Sequence, residues 1–216
     1  MTKSLMRRFL VTALFVAGVF GTTAPAVAMD EDGKSPWMFR LRGIAIIPQE
    51  SADIQTIGGD ADIQNAYVPE LDITYFLTEE LSLELILATA PHDIKAKNTA
   101  LGDVDLGDAW LLPPTLLLQY HFDLGDIKPY VGAGVNYTIF YGDEAPQGYD
   151  VDYEDGFGWA LQVGVDFWHH GPWFANIDLK KIFINTDATV RAGGTYLDAD
   201  VDIDPWVVGI GIGFRL

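Results

Sequence analysis

Ten ionisable residues stand within stretches of the chain that are otherwise rich in apolar residues. Six of them form pairs two residues apart, and side chains two apart on a β-strand lie on the same face. Both signs of charge are present, and an unpaired charge in a confined space would be costly, so we expect ion pairing. Two interpretations fit equally, a polar plug that blocks a passage and a structural salt-bridge network. The ten residues are Arg40, Arg42, Glu70, Asp72, Glu84, His121, Asp166, Asp178, Lys180 and Arg215.

A catalytic site has little support in the sequence. A hydrolase needs an activated nucleophile with a base and an orienting group nearby. Three serines follow residue 28, and Ser82 is the one that shares a predicted strand face with a charge, that of Glu84. A contact between Ser82 and His121 stays open, because both lie toward the same end of their predicted strands. Nothing resembles a nucleophile elbow, and we predict that the protein is not an enzyme.

The elements that must carry these residues are β-strands, and the last one shows this best. Over residues 207–216 apolar residues alternate with glycine. Bulk faces one way and bare backbone the other, as expected for a strand between lipid and a narrow lumen. Alternation bounded by turn residues predicts eight strands in all. Their approximate ranges are Trp37–Ile47, Val68–Leu77, Leu81–Ala90, Pro113–Phe122, Pro129–Phe140, Phe157–Phe167, Trp173–Ile184 and Val207–Leu216.

Eight strands of about ten residues predict an all-β fold, a closed antiparallel transmembrane β-barrel. The connections after the second, fourth and sixth strands are short, and the others are longer, including residues 91–112. This rhythm is typical of short periplasmic turns and longer extracellular loops. Aromatic residues near both ends of the strands, among them Trp168 and Phe140, are interpreted as girdles at the two membrane interfaces.

The N-terminus predicts the location of the protein. Three basic residues precede an apolar run over residues 9–20, and Ala26-Val-Ala28 supplies a cleavage site of small residues. This is the pattern of a secretory signal peptide. We therefore predict two segments, a signal peptide over residues 1–28 and a single barrel domain over residues 29–216, located in the bacterial outer membrane.

Charge and composition exclude several partners. Removing the signal peptide leaves ten basic against 31 acidic residues, a net charge of −21. Such a chain lacks the basic patches that nucleic acids require. It contains no cysteine, so no thiolate metal site can form. The acidic runs at residues 150–154 and 198–204 are interpreted as solvated loops, and neither a metal nor another cofactor is expected.

Toward the predicted long loops the inward residues become apolar, as in the walls of a site for a hydrophobic ligand. The alternative is plain packing of a narrow barrel. The candidate ligand lumen consists of Ile44, Ile46, Ile86, Ala88, Thr115, Leu117 and Phe140.

Prolines suggest an opening in the wall. Pro91 ends the third predicted strand, and Pro113 and Pro114 begin the fourth, so neighbouring strands meet at residues that cannot donate ladder hydrogen bonds. A gap here would be a lateral exit. The alternative is that these prolines only terminate strands.

Several sequence blocks, spread in order over residues 29–216, resemble the OmpW family of outer-membrane proteins, which includes AlkL-like and OprG-like members. Among them are Pro36-Trp-Met-Phe-Arg-Leu-Arg42, Asp72-Ile-Thr-Tyr-Phe-Leu-Thr78 and Lys128-Pro-Tyr-Val-Gly-Ala-Gly-Val-Asn-Tyr-Thr138. The chain departs from the family pattern at Leu216, where a phenylalanine is expected, and at Leu111, where relatives often carry histidine.

The resemblance implies a passive channel for small hydrophobic or amphipathic molecules, which enter an apolar lumen from outside and leave sideways into the bilayer. Expected partners are outer-membrane lipids, lipopolysaccharide and the solutes themselves. The alternative is a non-transporting structural, adhesion or receptor barrel that acts through its extracellular loops. The sequence leaves open whether a bacteriocin or phage uses the barrel as a receptor, and it does not fix the oligomeric state.

Overall fold

A computed structural model describes residues 35–54, 60–99, 102–144, 149–168, 171–192 and 195–216. The predicted signal peptide lies outside the described residues, as do most side chains of the two acidic runs. The described residues form fourteen β-strands. In chain order they are β1 (Trp37–Ile47), β2 (Glu50–Ile54), β3 (Asp60–Ile63), β4 (Ala66–Phe76), β5 (Leu81–Ala88), β6 (Ala90–Thr99), β7 (Gly102–Leu112), β8 (Thr115–His121), β9 (Ile127–Glu144), β10 (Tyr149–Tyr153), β11 (Gly156–Trp168), β12 (Trp173–Ala192), β13 (Thr195–Ile203) and β14 (Trp206–Arg215).

Eight of these strands close into an antiparallel barrel. Each pairs with the next in the order β1, β4, β5, β8, β9, β11, β12 and β14, and β14 pairs again with β1. The predicted eight-stranded fold is confirmed, and each barrel strand overlaps one of the predicted ranges. No helix in the described part of the chain is long and apolar enough to cross a membrane.

The remaining six strands extend the barrel beyond its long-loop end. There β12 continues to pair with β10 and β13, β13 pairs with β2, and the hairpin of β6 and β7 joins β3 to β9. The interpretation of residues 91–112 as a loop was therefore wrong, because they form most of this hairpin. The segment has few large apolar residues, so it lacks the apolar face by which a membrane strand is recognised.

The two faces of the barrel have opposite character. Large apolar residues are exposed on the outside, with Ile210 66% exposed, whereas Arg40 on the inside is 1% exposed. Two aromatic residues assigned to the girdles instead point inward. Trp168 stacks on Phe174, with ring centroids 4.4 Å apart, and Phe140 is 2% exposed. Both continue the inward alternation of their strands, which was predicted for Phe140 as a lumen residue and overlooked for Trp168.

Candidate functional site

The inner face of the barrel carries a polar layer toward the short turns and an apolar layer toward the long loops. The polar layer, called the buried polar network below, receives side chains from seven of the eight barrel strands, all at most 5% exposed. Its members are Arg40, Arg42, Glu70, Asp72, Thr74, Glu84, Gln119, Tyr130, Gln162, Asp166, Asn176, Asp178 and Lys180.

Arg40 on β1 is held from both sides of the lumen. Its Nε and Nη2 donate to the two carboxylate oxygens of Asp166, at 3.2 and 2.7 Å. Its Nη1 donates to Glu84 Oε1 at 2.9 Å and to Thr74 at 3.1 Å. A bidentate arginine–carboxylate pair is among the strongest polar contacts in proteins. Arg40 thus ties β1 to β11, three strands away in one direction round the barrel, and to β4 and β5 in the other.

Arg42 and Lys180 share one carboxylate. Arg42 Nη1 donates to Glu70 Oε1 at 3.1 Å, and Lys180 Nζ donates to the same oxygen at 2.6 Å. Lys180 also donates to Asp178 Oδ1 at 2.8 Å, and Arg42 Nη2 donates to the Tyr130 hydroxyl at 3.0 Å. These contacts connect β1, β4, β9 and β12 through groups with almost no exposure to water.

Neutral amides complete the network between the charged groups. Gln119 and Gln162 both donate to Glu84 Oε2, at 2.7 and 2.9 Å, and Gln162 also donates to Asp178 at 2.7 Å. Asn176 donates to Asp166 Oδ1 at 2.7 Å. Because the amides connect one ion-paired group to the next, the network is continuous across the lumen.

Glycines make room for these large side chains. β14 contributes no member of the network, and a Cβ at Gly209 would lie 3.2 Å from both Arg42 Cδ and Asp178 Oδ1. On β11, a Cβ at Gly164 would overlap the Tyr130 ring. The glycines on the inner face of the last strand therefore accommodate side chains of its neighbours, Arg42 and Asp178 at Gly209 and Phe174 at Gly213.

The structure brings eight of the ten predicted ionisable residues into this network and places the other two beside it. His121 Nε2 lies 3.0 Å from Ser82 Oγ and 3.2 Å from Gln119 Oε1. Arg215 donates to the Ser35 carbonyl at 2.9 Å and stacks over Phe76 at the short-turn end. The prediction overlooked five neutral members because it searched for charge, although their inward positions in the alternation were visible. They are Thr74, Gln119, Tyr130, Gln162 and Asn176.

Asp72 differs from the other carboxylates of the network. Arg42 Nη1 lies 2.7 Å from Asp72 Oδ2, but the angles are not those of a hydrogen bond, and neither oxygen of this fully buried carboxylate has a hydrogen-bond donor among the described residues. Asp72 stands in register with Arg40 on one side and with Ile86 on the other, at the boundary with the apolar layer. The network thus contains one carboxylate whose hydrogen bonding is incomplete.

The apolar layer is a packed cluster with one partly open side. Its buried members are Ile44, Ile86, Leu117, Ala160, Ile182, Ile184 and Val207. Ile46, Val68 and Ala88 pack against them and are only partly buried. These three residues lie on the neighbouring strands β1, β4 and β5, so the accessible apolar surface is concentrated on one side of the lumen.

Five of the seven residues predicted to line a ligand lumen fall in or against this cluster. Thr115 lies at its edge, where its hydroxyl donates to the Pro113 carbonyl at 3.0 Å and accepts from Asn136 at 2.8 Å. Phe140 lies farther out on β9, and its backbone N–H donates to Asp155 at 2.9 Å. Five further residues of the cluster also lie at inward positions of their strands but were not in the prediction: Ala160, Ile182, Ile184, Val207 and Val68.

The wall next to the open side of the cluster has an interrupted ladder. Pairing between β5 and β8 stops at Ile86–Thr115, and pairing between β6 and β7 resumes in the same register at Ala90–Leu111. Residues 87–89 and 112–114 therefore face each other without ladder pairs. Pro113 and Pro114 lie in this interval and lack the N–H groups that a ladder needs. We call it the β5–β8 gap.

Pro91 lies elsewhere than predicted. It does not end β5, which ends at Ala88; it is the second residue of β6 and pairs with Trp110. On the other flank of this segment, pairing between β4 and β5 ends at Glu70–Ala88, and the next pair is Ile63–Ile94 between β3 and β6. Pro91 thus borders a second interruption, on the β4 side, rather than the β5–β8 gap.

Comparison with known proteins decides the family. Residues 34–216 match the model of the OmpW family. The chain belongs to the OmpW family. This OmpW-family chain is 44% identical over 197 residues to the uncharacterized outer-membrane protein y4mB of Sinorhizobium fredii, a match that covers 89% of the chain and 85% of the relative. It is 32% identical to outer membrane protein W of Vibrio cholerae, covering 90% of the chain and 93% of that protein.

Three further matches extend the comparison. The dibenzothiophene metabolism operon protein PahQ of Pseudomonas aeruginosa is 28% identical, over 83% of this chain and 88% of PahQ. Among solved structures, the outer membrane protein OprG of Pseudomonas aeruginosa superposes with a TM-score of 0.78 at 29% identity, covering 85% of the chain and 97% of OprG. AlkL, solved in lipid bilayers, has the same fold, with a TM-score of 0.68 at 23% identity, covering 83% of the chain and 89% of AlkL. The protein is an OmpW-family barrel of the outer membrane.

Proposed function

We propose that this OmpW-family barrel is a passive channel for small hydrophobic or amphipathic molecules, which it takes up from outside and releases sideways into the bilayer. The observation that carries the proposal is the interrupted ladder beside the partly open apolar surface. Ala88 belongs to both features, since it packs against the apolar cluster and lies in the β5–β8 gap. An apolar solute at Ile46, Val68 and Ala88 would therefore already be next to the wall.

The buried polar network argues against a straight path to the periplasm. A solute that crossed it would have to separate buried ion pairs such as Arg40–Asp166 and Lys180–Glu70. Leaving one member of a buried pair without its partner costs about 3–5 kcal/mol. Several such pairs span the lumen, so sideways release needs far less disruption than passage through the network.

The name of one relative supports a hydrophobic solute. PahQ is named for an operon of dibenzothiophene metabolism, and dibenzothiophene is an uncharged aromatic molecule. The packing of the apolar cluster, with Leu117 fully buried, is the observation that favours the alternative of a non-transporting structural or receptor barrel.

We also propose that the barrel has no enzymatic activity. Ser82 and His121 lie within hydrogen-bond distance, the first requirement of a serine nucleophile. However, Ser82 is fully buried and its hydroxyl also contacts Gln119 Oε1 at 3.3 Å, so no room remains for a carbonyl substrate at Oγ.

The test uses a reversible lock across the β5–β8 gap. The chain has no cysteine, so the double variant Leu87→Cys/Pro114→Cys can form a single disulfide. The common register places residues 87 and 114 opposite each other, and both continue the outward alternation, so the lock would leave the lumen unchanged. Refolded protein is placed in vesicles containing lipopolysaccharide, and entry of dibenzothiophene and of glycine is followed, with empty vesicles as the control.

We expect the native barrel to accelerate entry of dibenzothiophene, the oxidised variant to lose this acceleration, and reduction to restore it. Full flux through the oxidised variant would contradict release through the gap. If barrels shown to be folded by heat-dependent gel mobility accelerate neither solute, the channel function itself is wrong and a structural or receptor role is favoured. Accelerated entry of glycine alone would contradict a hydrophobic solute.

A further inference from the structure

Thr89 occupies an exceptional position in the wall. It joins β5 to β6 and is paired in neither flanking ladder, because it lies in the β5–β8 gap on one side and in the interruption next to β4 on the other. Its backbone is therefore held less firmly than that of its neighbours along β5, where Leu87 and Ala88 still pair with β4.

The side chain of Thr89 has a hydrogen-bond partner, although its backbone has none in either ladder. Its hydroxyl forms a hydrogen bond with the hydroxyl of Tyr141. Tyr141 belongs to β9, and β7 lies between β9 and the segment that carries Thr89, so the bond reaches over a whole strand on the outer face. The contact connects the unpaired segment at Thr89 to β9, the strand beyond β7.

An aromatic neighbour fixes the position of the tyrosine. Trp110 on β7 pairs with Tyr141 in the ladder, and the two ring centroids lie 6.2 Å apart. Trp110 is also the ladder partner of Pro91. Tyr141 therefore approaches Thr89 from a surface built of paired strands.

We propose that the Thr89–Tyr141 hydrogen bond is a latch that holds the wall closed. Opening the β5–β8 gap requires the segment around Thr89 to move away from β7, and this movement breaks the bond. As a regulator of flux the latch rests on the proposed function, but as a restraint on the wall it can be tested without any solute.

The test removes one hydroxyl at a time. Tyr141→Phe and Thr89→Val each delete one partner while preserving shape, and Tyr67→Phe is the matched control, a tyrosine on β4 that is 77% exposed. Hydrogen–deuterium exchange of amides 87, 88 and 90, which belong to paired residues, and dibenzothiophene entry are measured on refolded barrels in the same vesicles. A hydrogen bond contributes about 0.5–1.5 kcal/mol net, so exchange at these amides should rise roughly two- to tenfold in both latch variants.

The double variant Thr89→Val/Tyr141→Phe should exchange no faster than either single variant, because both remove the same bond. Exchange in Tyr67→Phe should match that of the native chain. Unchanged exchange in both single variants would overturn the latch. Faster exchange with faster entry supports the latch and the lateral exit together, whereas faster exchange with unchanged entry supports the latch and contradicts the exit.

Discussion

Glu70 and Asp72 lie two residues apart on β4, yet their hydrogen bonding within the buried polar network differs. Glu70 Oε1 accepts hydrogen bonds from Arg42 and Lys180, whereas Asp72 has no hydrogen-bond donor among the described residues. The network also holds five carboxylates against three cations, all of them buried. Excess negative charge in a low dielectric is unfavourable. Asp72 lies within ion-pair distance of Arg42 but accepts no hydrogen bond from it, so we expect Asp72 to contribute little to stability or to oppose it.

The prediction at this scale compares two isosteric substitutions. Glu70→Gln should lower the free energy of unfolding by about 3 kcal/mol, because it leaves Lys180 and Arg42 without their shared charge. Asp72→Asn should leave that free energy unchanged or raise it, because it removes one excess charge. Urea unfolding of the refolded barrels, followed by tryptophan fluorescence, measures both. A loss in Asp72→Asn as large as that in Glu70→Gln would contradict this account.

At the scale of strands, β9 and β11 fit together because one of them carries a glycine. Tyr130 of β9 is paired with Gly164 of β11, and its ring fills the space where a side chain would be. From this position the hydroxyl accepts from Arg42 and Asn176, both at 3.0 Å. A single methyl group at Gly164 would therefore displace a ring that two strands depend on.

Gly164→Ala should accordingly lower the free energy of unfolding by about 2 kcal/mol, since overpacking of a filled interior typically costs 1–3 kcal/mol. The matched control is Gly43→Ala on β1, where an added Cβ would meet no atom within 4 Å. Equal midpoints of urea unfolding for the two variants would show that Tyr130 moves without loss and would refute this explanation.

The strands of the barrel could be predicted because lipid on one side and a lumen on the other impose a strict alternation. The hairpin of β6 and β7 could not, because few large apolar residues mark it. β10 and β13 do alternate acidic with apolar residues, but their acidic runs were wrongly interpreted as solvated loops. The inward positions of charged network members such as Arg40 were predictable from the alternation of their strands. Tyr130 and Gln119 were not predicted as members, because their role depends on neutral groups that bond to the ion-paired side chains. The Thr89–Tyr141 contact depends on the register of three strands at once, which local patterns do not reveal.

For the whole molecule, the barrel and its extension should contribute differently to stability. Every member of the buried polar network lies on a barrel strand, and the apolar cluster also consists of barrel residues. The hairpin of β6 and β7 supplies neither, and the described residues of its outer part, from Ile94 to Gly107, pair only with β3 and within the hairpin itself. The closed ladder, from β1 round to β14, does not need the hairpin tip.

Deleting residues 94–107 and joining the ends with a two-residue Asn-Gly turn should therefore leave the midpoint of urea unfolding close to that of the native chain. Heat-dependent gel mobility, which reports barrel closure, should also be retained. The segment around Thr89 and Pro91 is preserved in this variant, so the latch can be measured in it by the same amide exchange. A fall in the midpoint as large as that of Glu70→Gln would mean that the extension and the barrel form one cooperative unit, with the network dependent on strands it does not touch.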